Sequence, residues 1–350
     1  MKEKLEYSII TKKAIRFFTL KTTNGLAKLL VYSPTEFMGI IKNATYREFK
    51  IRKSKGGTRT IESPNEELRV LQKRLNLYLQ SLYCMIKPEV AYGFVLSYQK
   101  EKKPHTIVSN AENHLNKKYV LNIDLKDFFH SISTVQVKEF FMNSPFKFNE
   151  DLATCLALIC CYNGRLTMGA PTSPVISNLI CIPLDKQLMA IAEEHKLTYT
   201  RYADDMTFSS SENISEEVIT KIKSSITAFG FQLNEKKFRM QSKFRQQTVT
   251  GIKVNAKTNV DRKYVRNIRA TIHDIKLNGL EAATQKHYVL KEVDKKLMQS
   301  LLQKIEGKIN FVGQVKGKDD GVYRGLLQRS KEVGMFRKGA GKRNHNTSIF

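Results

Sequence analysis

Three aspartates in this sequence have neighbours that predict burial at the ends of strands. Asp124 closes the alternating segment 119–123, and the pair Asp204-Asp205 separates two short segments of apolar or hydroxylated residues. Carboxylates at the ends of buried strands repel one another and lose hydration, so they are costly without cations. The pattern therefore favours a metal site, and a solvated turn is the ordinary alternative for an Asp-Asp pair.

The chemistry that such carboxylates support is phosphoryl transfer. Two Mg²⁺ ions roughly 3.5–4 Å apart can clamp the attacking and leaving oxygens of an in-line displacement. One ion lowers the pKa of the attacking hydroxyl, and the other stabilises the leaving pyrophosphate. If Asp124, Asp204 and Asp205 meet, we expect them to hold two Mg²⁺ ions as cofactors.

A sheet must bring these aspartates together. Residues 118–125 alternate between two faces, which predicts a strand that ends at Asp124. Residues 198–209 predict two short strands around a tight turn at 203–205. Because neighbouring strands of one sheet can come from distant parts of a chain, the separation in sequence is no obstacle.

Most of the remaining sequence has a helical pattern. Apolar spacing predicts helices within residues 1–45, 66–83, 134–161, 174–195 and 216–229, and from 262 onward. Residues 46–64 surround a basic Gly-Gly turn, which predicts a hairpin. We also expect a strand pair formed by residues 232–234 and 248–254, and a loose tail at 337–350.

The composition indicates the kind of partner. Lys and Arg number 59 against 33 Asp and Glu, a formal net charge of +26. This excess favours a polyanion, because basic side chains release counterions from phosphates, and a generally basic surface is the alternative. The five cysteines lack CxxC spacing, and the longest apolar stretch, residues 152–161, is too short for a bilayer. We expect a cytoplasmic protein without disulfides, a zinc site, a signal peptide or a membrane span.

Three motifs carry a resemblance to a known family. Tyr202-Ala203-Asp204-Asp205 resembles the YxDD box of reverse transcriptases, residues 122–129 (NIDLKDFF) their first palm motif, and residues 168–178 (MGAPTSPVISN) their GxPxSPxxxN motif. The resemblance implies an RNA-directed DNA polymerase, a nucleotidyltransferase. Its fold would be α+β, a right hand with fingers, a palm with an antiparallel sheet, and a helical thumb.

The resemblance also divides the chain. It implies N-terminal helices and fingers at 1–117 and a palm with interleaved fingers helices at 118–255. A basic helical thumb or RNA-binding region would follow at 256–336, and a tail at 337–350.

Individual roles follow from the same motifs. The resemblance makes Asp124 and Asp204 metal ligands, with Asp205 beside them, and these three would be the catalytic residues. The implied nucleotide-binding residues are Lys53, Lys55, Arg59, Phe129, Gly169 and Lys237. Phe129 would be the steric gate against a ribose 2′-hydroxyl, with a plain core aromatic as the alternative. Arg59 with a lysine partner would bind the triphosphate, because a guanidinium can donate two parallel hydrogen bonds to one phosphate group. Lys237 would protonate pyrophosphate. Met168 departs from the family, which often has Gln before this glycine.

Two further strings are similar to signatures of retron reverse transcriptases. Residues 110–114 (NAENH) match NAxxH, and residues 249–251 match VTG. The implied RNA-binding residues are Asn110, His114, Val249, Thr250, Gly251, Arg262, Lys263, Arg266 and Arg269. The resemblance implies a cognate structured non-coding RNA that is read mainly through shape and phosphates, priming from an internal 2′-hydroxyl, and a branched RNA–DNA product (msDNA). It also implies antiphage defence with a separate effector protein.

Other interpretations of the sequence stay open. A group II intron-like or abortive-infection reverse transcriptase would share the three palm motifs but not the two retron strings. A non-catalytic RNA-binding scaffold would not need clustered carboxylates facing phosphates. A nucleotide cyclase on a palm-like core would leave the basic hairpin and the basic C-terminal region unexplained.

Overall fold

The computed structural model describes residues 6–52, 56–96, 98, 101 and 104–335. Lys53 and Lys55, expected to bind a triphosphate, and the expected tail at 337–350 lie outside the described residues. Within the described residues, helices surround short antiparallel strands, which confirms an α+β fold.

The N-terminal region is helical apart from one hairpin. In chain order it contains α1 (Tyr7–Phe18), α2 (Thr23–Leu29), α3 (Pro34–Lys42), β1 (Tyr46–Arg52), β2 (Thr58–Pro64), α4 (Glu66–Ile86) and α5 (Ile107–Glu112). Thr22 and Ser33 cap the starts of α2 and α3 by accepting backbone N–H groups. Leu68, Leu71 and Leu75 recur at helical spacing and are fully buried, so α4 lies at the centre of the first apolar core.

The middle of the chain builds the main sheet. It contains β3 (Tyr119–Asp124), α6 (Thr134–Met142), α7 (Glu150–Cys160), β4 (Cys161–Tyr162), β5 (Arg165–Leu166), α8 (Ser173–Ile180), α9 (Ile182–Glu194), β6 (Thr198–Tyr202), β7 (Asp205–Ser210), α10 (Glu216–Ala228) and β8 (Arg239–Ser242). The antiparallel sheet has the order β6-β7-β3-β8. Val120, Leu121 and Ile123 of the inner strand β3 are at most 1% exposed. The core therefore holds β3 firmly up to Asp124.

The C-terminal region is a helical unit with its own core. It contains β9 (Thr248–Val249), β10 (Ile252–Lys253), α11 (Arg262–Tyr288), which breaks at Gly279, α12 (Lys295–Lys316) and α13 (Gly321–Glu332). Its apolar cluster includes Ile272 and Leu301, and also Ala111 of α5 and Val249 of β9. As a result, α5 and the β9–β10 hairpin connect the main sheet to the C-terminal helices.

The expected strand pair of residues 232–234 and 248–254 is wrong. Residues 232–234 instead close the end of β3, through backbone hydrogen bonds of 2.8 Å to Lys126 and Asp124. Residues 248–249 pair with 252–253, and β8, which the sequence did not predict, pairs with β3. Short polar strands have little pattern of their own, and their pairing depends on the neighbour that tertiary structure supplies.

The lengths and apolarity of the described helices bear on membrane crossing. No single helix among them has both the length and the apolarity needed to cross a bilayer, while α8 and α9, bent by 48°, meet those two requirements only as a pair.

Candidate active site

The register of the main sheet brings the three aspartates to one end of it. Asp124 on β3 lies directly opposite Asp205 on β7. Asp204 lies in the β6–β7 turn, where its carbonyl oxygen accepts the N–H of Leu125 at 3.1 Å. Ala203 has a φ of 57°, a left-handed conformation that reverses the chain between the strands. The three predicted catalytic residues are therefore neighbours.

The electrostatics of these carboxylates are unfavourable without a counter-charge. Desolvation, and then the charge of Asp124, raises the pKa of Asp204. Desolvation, and then the charges of Asp204 and Asp124, raises the pKa of Asp205 to about 7. Like charges that crowd together disfavour ionisation, so this end of the sheet attracts cations.

Two side chains from the segment after α10 hold Asp124. Asn234 donates from Nδ2 to Oδ1 at 3.0 Å, and Lys237 donates from Nζ to Oδ2 at 2.6 Å. Desolvation lowers the pKa of Lys237, but the neighbouring carboxylates raise it by more, so the net shift is upward. Lys237, predicted at the nucleotide, thus contacts a predicted metal ligand directly, and the contact of Asn234 was not predicted.

A buried ion pair supports the turn that carries Asp204. Arg201 on β6 is fully buried and donates from Nε and Nη2 to the carboxylate of Asp185 on α9, at 2.8 and 2.6 Å. Its Nη1 donates to Asn178 Oδ1 at 2.9 Å and to the carbonyl oxygen of Ala203 at 3.2 Å. The planar guanidinium therefore ties the turn to α8 and α9. Sequence reasoning missed this network, although a charged residue inside a strand otherwise predicted to be buried was a usable signal.

Gly93 packs against the same turn. A Cβ at this position would lie 2.5 Å from the backbone nitrogen of Ala203, closer than a side chain can approach. Asn178 Nδ2 also donates to the carbonyl oxygen of Gly93 at 2.9 Å. One packed unit is therefore formed by the turn, α8 and the segment that follows α4. Nothing specific in the sequence around Gly93 predicted this packing.

The β1–β2 hairpin is anchored beside this end of the sheet. Arg59 is exposed and pairs with Ile51 across the hairpin. Its positive charge lowers the pKa of Asp204, although desolvation and the charge of Asp124 raise that pKa by more. Glu62 on β2 is 1% exposed and accepts hydrogen bonds from His130 Nε2 at 2.9 Å and Arg165 Nη2 at 3.2 Å. This buried carboxylate fixes the hairpin to β5 and to the segment after β3.

Gly169 contacts the hairpin. Its φ is 143°, and a Cβ would lie 2.6 Å from the carbonyl oxygen of Glu62. The N–H of Glu62 donates to the carbonyl oxygen of Met168 at 2.9 Å. The contacts of Gly169 in this structure are with β2, and its contact with a nucleotide stays a prediction. Because Met168 takes part through its backbone, a Met in place of Gln does not alter this contact.

Phe129 lies half-buried beyond the end of β3. Its ring centroid is 5.5 Å from that of Phe128 and 6.0 Å from that of Phe94. The core therefore holds one side of the ring while the other side stays accessible. This placement is compatible with both interpretations of Phe129 from the sequence, a steric gate against a ribose 2′-hydroxyl and a plain core aromatic.

A cleft of about 680 Å³ opens between the aspartates and the β9–β10 hairpin. Its lining includes Asp124, Asp205, Lys237, Arg239, Thr250, Gly251 and Lys253. Lys237 Nζ lies 2.6 Å from Asp124 Oδ2, so acidic and basic groups meet within the cleft. Thr250 and Gly251, predicted to bind RNA, face this cleft.

Three other residues predicted to bind RNA are buried. Asn110 is 1% exposed, and His114 and Val249 are 0% exposed. Burial closes these side chains to direct contact with RNA in this structure, because NAxxH and VTG pack against each other at the junction of the two cores. The two motifs thus have a structural role in this fold. RNA binding through them stays a prediction.

His114 links α5 to two strands of the sheet. Its Nδ1 lies 2.7 Å from Ser209 Oγ, and its Nε2 lies 2.8 Å from Thr200 Oγ1. Burial, and then the charge of Lys117, lowers the pKa of His114 to about 3. The imidazole is therefore neutral at physiological pH and donates through one nitrogen while accepting through the other.

The start of α11 carries a row of exposed arginines. A second cleft, of about 550 Å³, is lined by Arg262, Arg266, Arg269, Lys253 and Lys316. The three arginines are spaced four and three residues apart and so share one helix face. Within the described residues they form no ion pair with an acidic side chain, and Lys263 beside them is also exposed. The row suits phosphates.

The aspartates suit magnesium in their chemistry. Carboxylate oxygens are the ligands that Mg²⁺ prefers, and the raised pKa values of Asp204 and Asp205 reflect excess negative charge. As they are arranged, no group of three or more His, Cys, Asp or Glu side chains in the described chain could hold an ion. Asp124, Asp204 and Asp205 are the carboxylates that would hold Mg²⁺ at this end of the sheet.

Comparison with known proteins identifies the family. A family model described as reverse transcriptase (RNA-dependent DNA polymerase) matches residues 51–254, more than half of the chain and the whole segment that carries the three aspartates. The chain belongs to this reverse transcriptase family. The main antiparallel sheet accordingly corresponds to the palm sheet of this family's fold.

Retron enzymes are among the similar proteins. The chain is 34% identical over 222 residues to the retron Ec86 reverse transcriptase of Escherichia coli, covering 62% of this chain and 65% of that protein. It is 30% identical over 247 residues to the retron Mx65 reverse transcriptase of Myxococcus xanthus, covering 65% and 55% respectively. The chain thus spans less than two thirds of the length of these relatives.

The telomerase structure from Candida albicans aligns with a TM-score of 0.44 at 10% identity, covering 84% of this chain and 64% of that one.

Proposed function

We propose that this reverse transcriptase is an RNA-directed DNA polymerase of the retron type, which acts in the cytoplasm on a structured non-coding RNA. The observation that carries the proposal is Asp124 opposite Asp205, with Asp204 in the adjoining turn. Perturbed pKa values in a cleft are typical of reactive sites, and those of Asp204 and Asp205 are raised. Similarity to retron enzymes supports the choice of branch.

The catalytic residues would be the three aspartates, acting as ligands. A bound pair of Mg²⁺ ions would activate the attacking hydroxyl and neutralise charge on the leaving pyrophosphate. Asp124 and Asp204 would hold them, with Asp205 in support. Lys237 contacts Asp124 at this site, and its ammonium would be positioned to donate a proton to the leaving pyrophosphate.

Nucleotide selection would depend on the fingers and on the segment after β3. Arg59 is exposed, and its charge is close enough to lower the pKa of Asp204, so its guanidinium would bind the triphosphate of a nucleotide whose metal ions are held by the aspartates. Lys53 and Lys55 would assist from the same hairpin. Phe129, held by the core on one side, would exclude a ribose 2′-hydroxyl and select deoxynucleotides, and Gly169 would line the same site.

The RNA would contact the helical C-terminal region. The exposed row of Arg262, Arg266 and Arg269, with Lys263 beside it, would follow the phosphates of an RNA stem. Thr250 and Gly251 would hold the strand end in the cleft beside the aspartates. We assign fingers to residues 1–117, palm to 118–255 and thumb to 256–336.

The retron assignment has consequences beyond polymerisation. Synthesis would begin at the 2′-hydroxyl of an internal nucleotide of the cognate RNA and leave a branched RNA–DNA product, msDNA. Such a product, with a separate effector protein, would serve antiphage defence.

The test is expression of the chain with the RNA encoded beside it, in parallel with two variants. The first variant is Asp204→Asn with Asp205→Asn. The matched control is Asp127→Asn, because Asp127 is an exposed aspartate close to Asp124, and Asn tolerates its φ of 48°. We expect a short DNA, attached to RNA and reduced in size by RNase, from the native chain and from the control but not from the first variant.

Each other outcome changes a defined part of the proposal. Extension of an unrelated primed template, without the branched product, would retain the polymerase and remove the retron assignment in favour of another lineage. Tight binding of the RNA with no DNA from any form would favour a non-catalytic scaffold.

A further inference from the structure

One surface of the palm combines an exposed aromatic ring with basic side chains and has no part in the site described above. It lies at the turn after β8 and consists of Lys117, Lys118, Lys243, Phe244 and Arg245, called here the distal patch. Phe244 is 88% exposed. A phenylalanine that projects this far into water makes no contribution to the core, and its ring is open to a stacking partner.

The turn that presents Phe244 is well ordered by hydrogen bonds. Lys243 N–H donates to the carbonyl oxygen of Lys118 at 2.7 Å, and Asn255 Nδ2 donates to that of Arg245 at 2.8 Å. Gln247 is 0% exposed, and its Nε2 donates to the carbonyl oxygens of Lys117 and Lys118 at 3.1 and 3.2 Å. The backbone on both sides of the ring is therefore fixed, unlike that of a solvated loop tip.

The charges around the ring are all of one sign. The ammonium of Lys243 lies 5.1 Å from the ring centroid of Phe244. In the part of the chain that the structure describes, Lys117, Lys118, Lys243 and Arg245 form no ion pair with an acidic side chain. The positive charge of Lys117 also contributes to the lowered pKa of the buried His114. The patch thus attracts anions.

An aromatic face with basic neighbours fits an unpaired nucleotide. The base stacks on the ring, and the adjacent phosphates meet the cations. A protein-docking surface would instead present several contiguous apolar side chains, whereas Phe244 stands among charges.

The position of the patch separates it from the reacting nucleotides. Tyr119 at the start of β3 pairs with Ser242, next to the patch, and Asp124 ends the same strand. Five steps of about 3.3 Å place the patch roughly 17 Å from the catalytic end of the sheet. A nucleotide bound here is therefore not one that reacts at the aspartates.

We propose that the distal patch binds an unpaired nucleotide of the nucleic acid that the enzyme copies or makes, by stacking its base on Phe244 and holding its phosphates with Lys118, Lys243 and Arg245. The inference rests on the proposed function for the identity of the polymer. The binding chemistry is shared by single-stranded RNA and DNA.

The chain contains no tryptophan, which makes Phe244→Trp a unique fluorescent probe of the patch. The full chain with this substitution would be titrated with an unstructured 20-nucleotide RNA and with the DNA of the same sequence. Stacking of a base should quench the tryptophan emission saturably. The control is Leu158→Trp, which places the probe at a 52% exposed position on α7, where emission should not change.

Affinity measurements complete the test. We expect Phe244→Ala to weaken binding of the preferred single strand by about 5- to 150-fold, from the usual contribution of one stacked base, with little effect on extension of a short primed template. Combining Lys243→Gln with Arg245→Gln should weaken binding and reduce its salt dependence. The RNA and DNA arms identify which strand the patch holds.

Unchanged emission of Phe244→Trp while fluorescence anisotropy reports a bound oligonucleotide would overturn the proposal. Emission that responds only to a copurifying protein would also overturn it and make the patch a protein-docking surface. Primer extension by the same preparation separates the two claims, since quenching without polymerisation would refute only the proposed function. Polymerisation without quenching would refute only the patch.

Discussion

Replacing His114 with Gln is predicted to make the protein less sensitive to acid. His114 is fully buried, with its ring nitrogens 2.7 and 2.8 Å from the hydroxyls of Ser209 and Thr200. Burial, and then the charge of Lys117, lowers its pKa from the usual 6.5 to about 3. Acid therefore protonates this histidine in the unfolded chain well before it does so in the folded protein.

The sign and size follow from proton linkage. Between pH 6.5 and pH 3 the unfolded chain binds a proton at this position that the folded protein does not, so stability falls as the pH falls. Well below pH 6.5 the slope is about 1.4 kcal/mol per pH unit, which amounts to about 2 kcal/mol between pH 6.5 and pH 4.5. At pH 7 and above the titration contributes almost nothing. There the substitution costs only the lost hydrogen bonds, about 1–3 kcal/mol.

The assay is urea denaturation at half-unit intervals from pH 4.5 to pH 7.5. Because the chain contains no tryptophan, unfolding would be followed by far-ultraviolet circular dichroism. The native chain should lose about 2 kcal/mol more than His114→Gln over the lower two pH units. His273→Gln, at an exposed position on α11, is the matched control and should follow the native chain.

The reasoning would be refuted if His114→Gln lost stability with acid as steeply as the native chain. That result would mean that the folded protein accepts the proton on His114, and that the NAxxH histidine is open to charge and to phosphate contact after all.

Replacing Asp185 with Asn leaves Arg201 buried and charged without its ion-pair partner. Urea denaturation should then show an unfolding free energy lower by about 3–5 kcal/mol. A loss below about 1 kcal/mol would contradict the network seen here. Gly93→Ala puts a Cβ 2.5 Å from the backbone nitrogen of Ala203, in the turn that carries Asp204. We therefore expect primer extension to fall at least about tenfold as the turn is displaced, and an unchanged rate would exclude that contact. In metal-free protein, carbon-13 NMR of labelled aspartates should find Asp205 titrating near pH 7. Because Lys237 lowers that pKa, Lys237→Met should move the titration to higher pH, and titration near pH 4 in either form would contradict the crowding of carboxylates.

The sequence alone determined the elements whose signals are local. Burial of β3 follows from its apolar run, the β6–β7 turn from two short strand patterns around Asp204, and the β1–β2 hairpin from the Gly-Gly turn between alternating segments. Strand alternation and turn chemistry act over a few residues. The three aspartates could therefore be singled out from local patterns, whereas Lys237 and Arg59 were named only through the resemblance to reverse transcriptase motifs, and their roles stay predictions.

Other features depended on which distant segments meet. The pairing of β8 with β3 and the burial of NAxxH against VTG have no signature in their own residues. The bonds from Arg201 to Asp185 and Asn178 join three elements of the chain. A local pattern records whether a side chain is buried but not what it contacts there, because contact partners are set by long-range packing. For that reason the sequence identified the aspartates that would do the chemistry, and only the tertiary structure revealed the buried arginine and glycine that hold their turn in place.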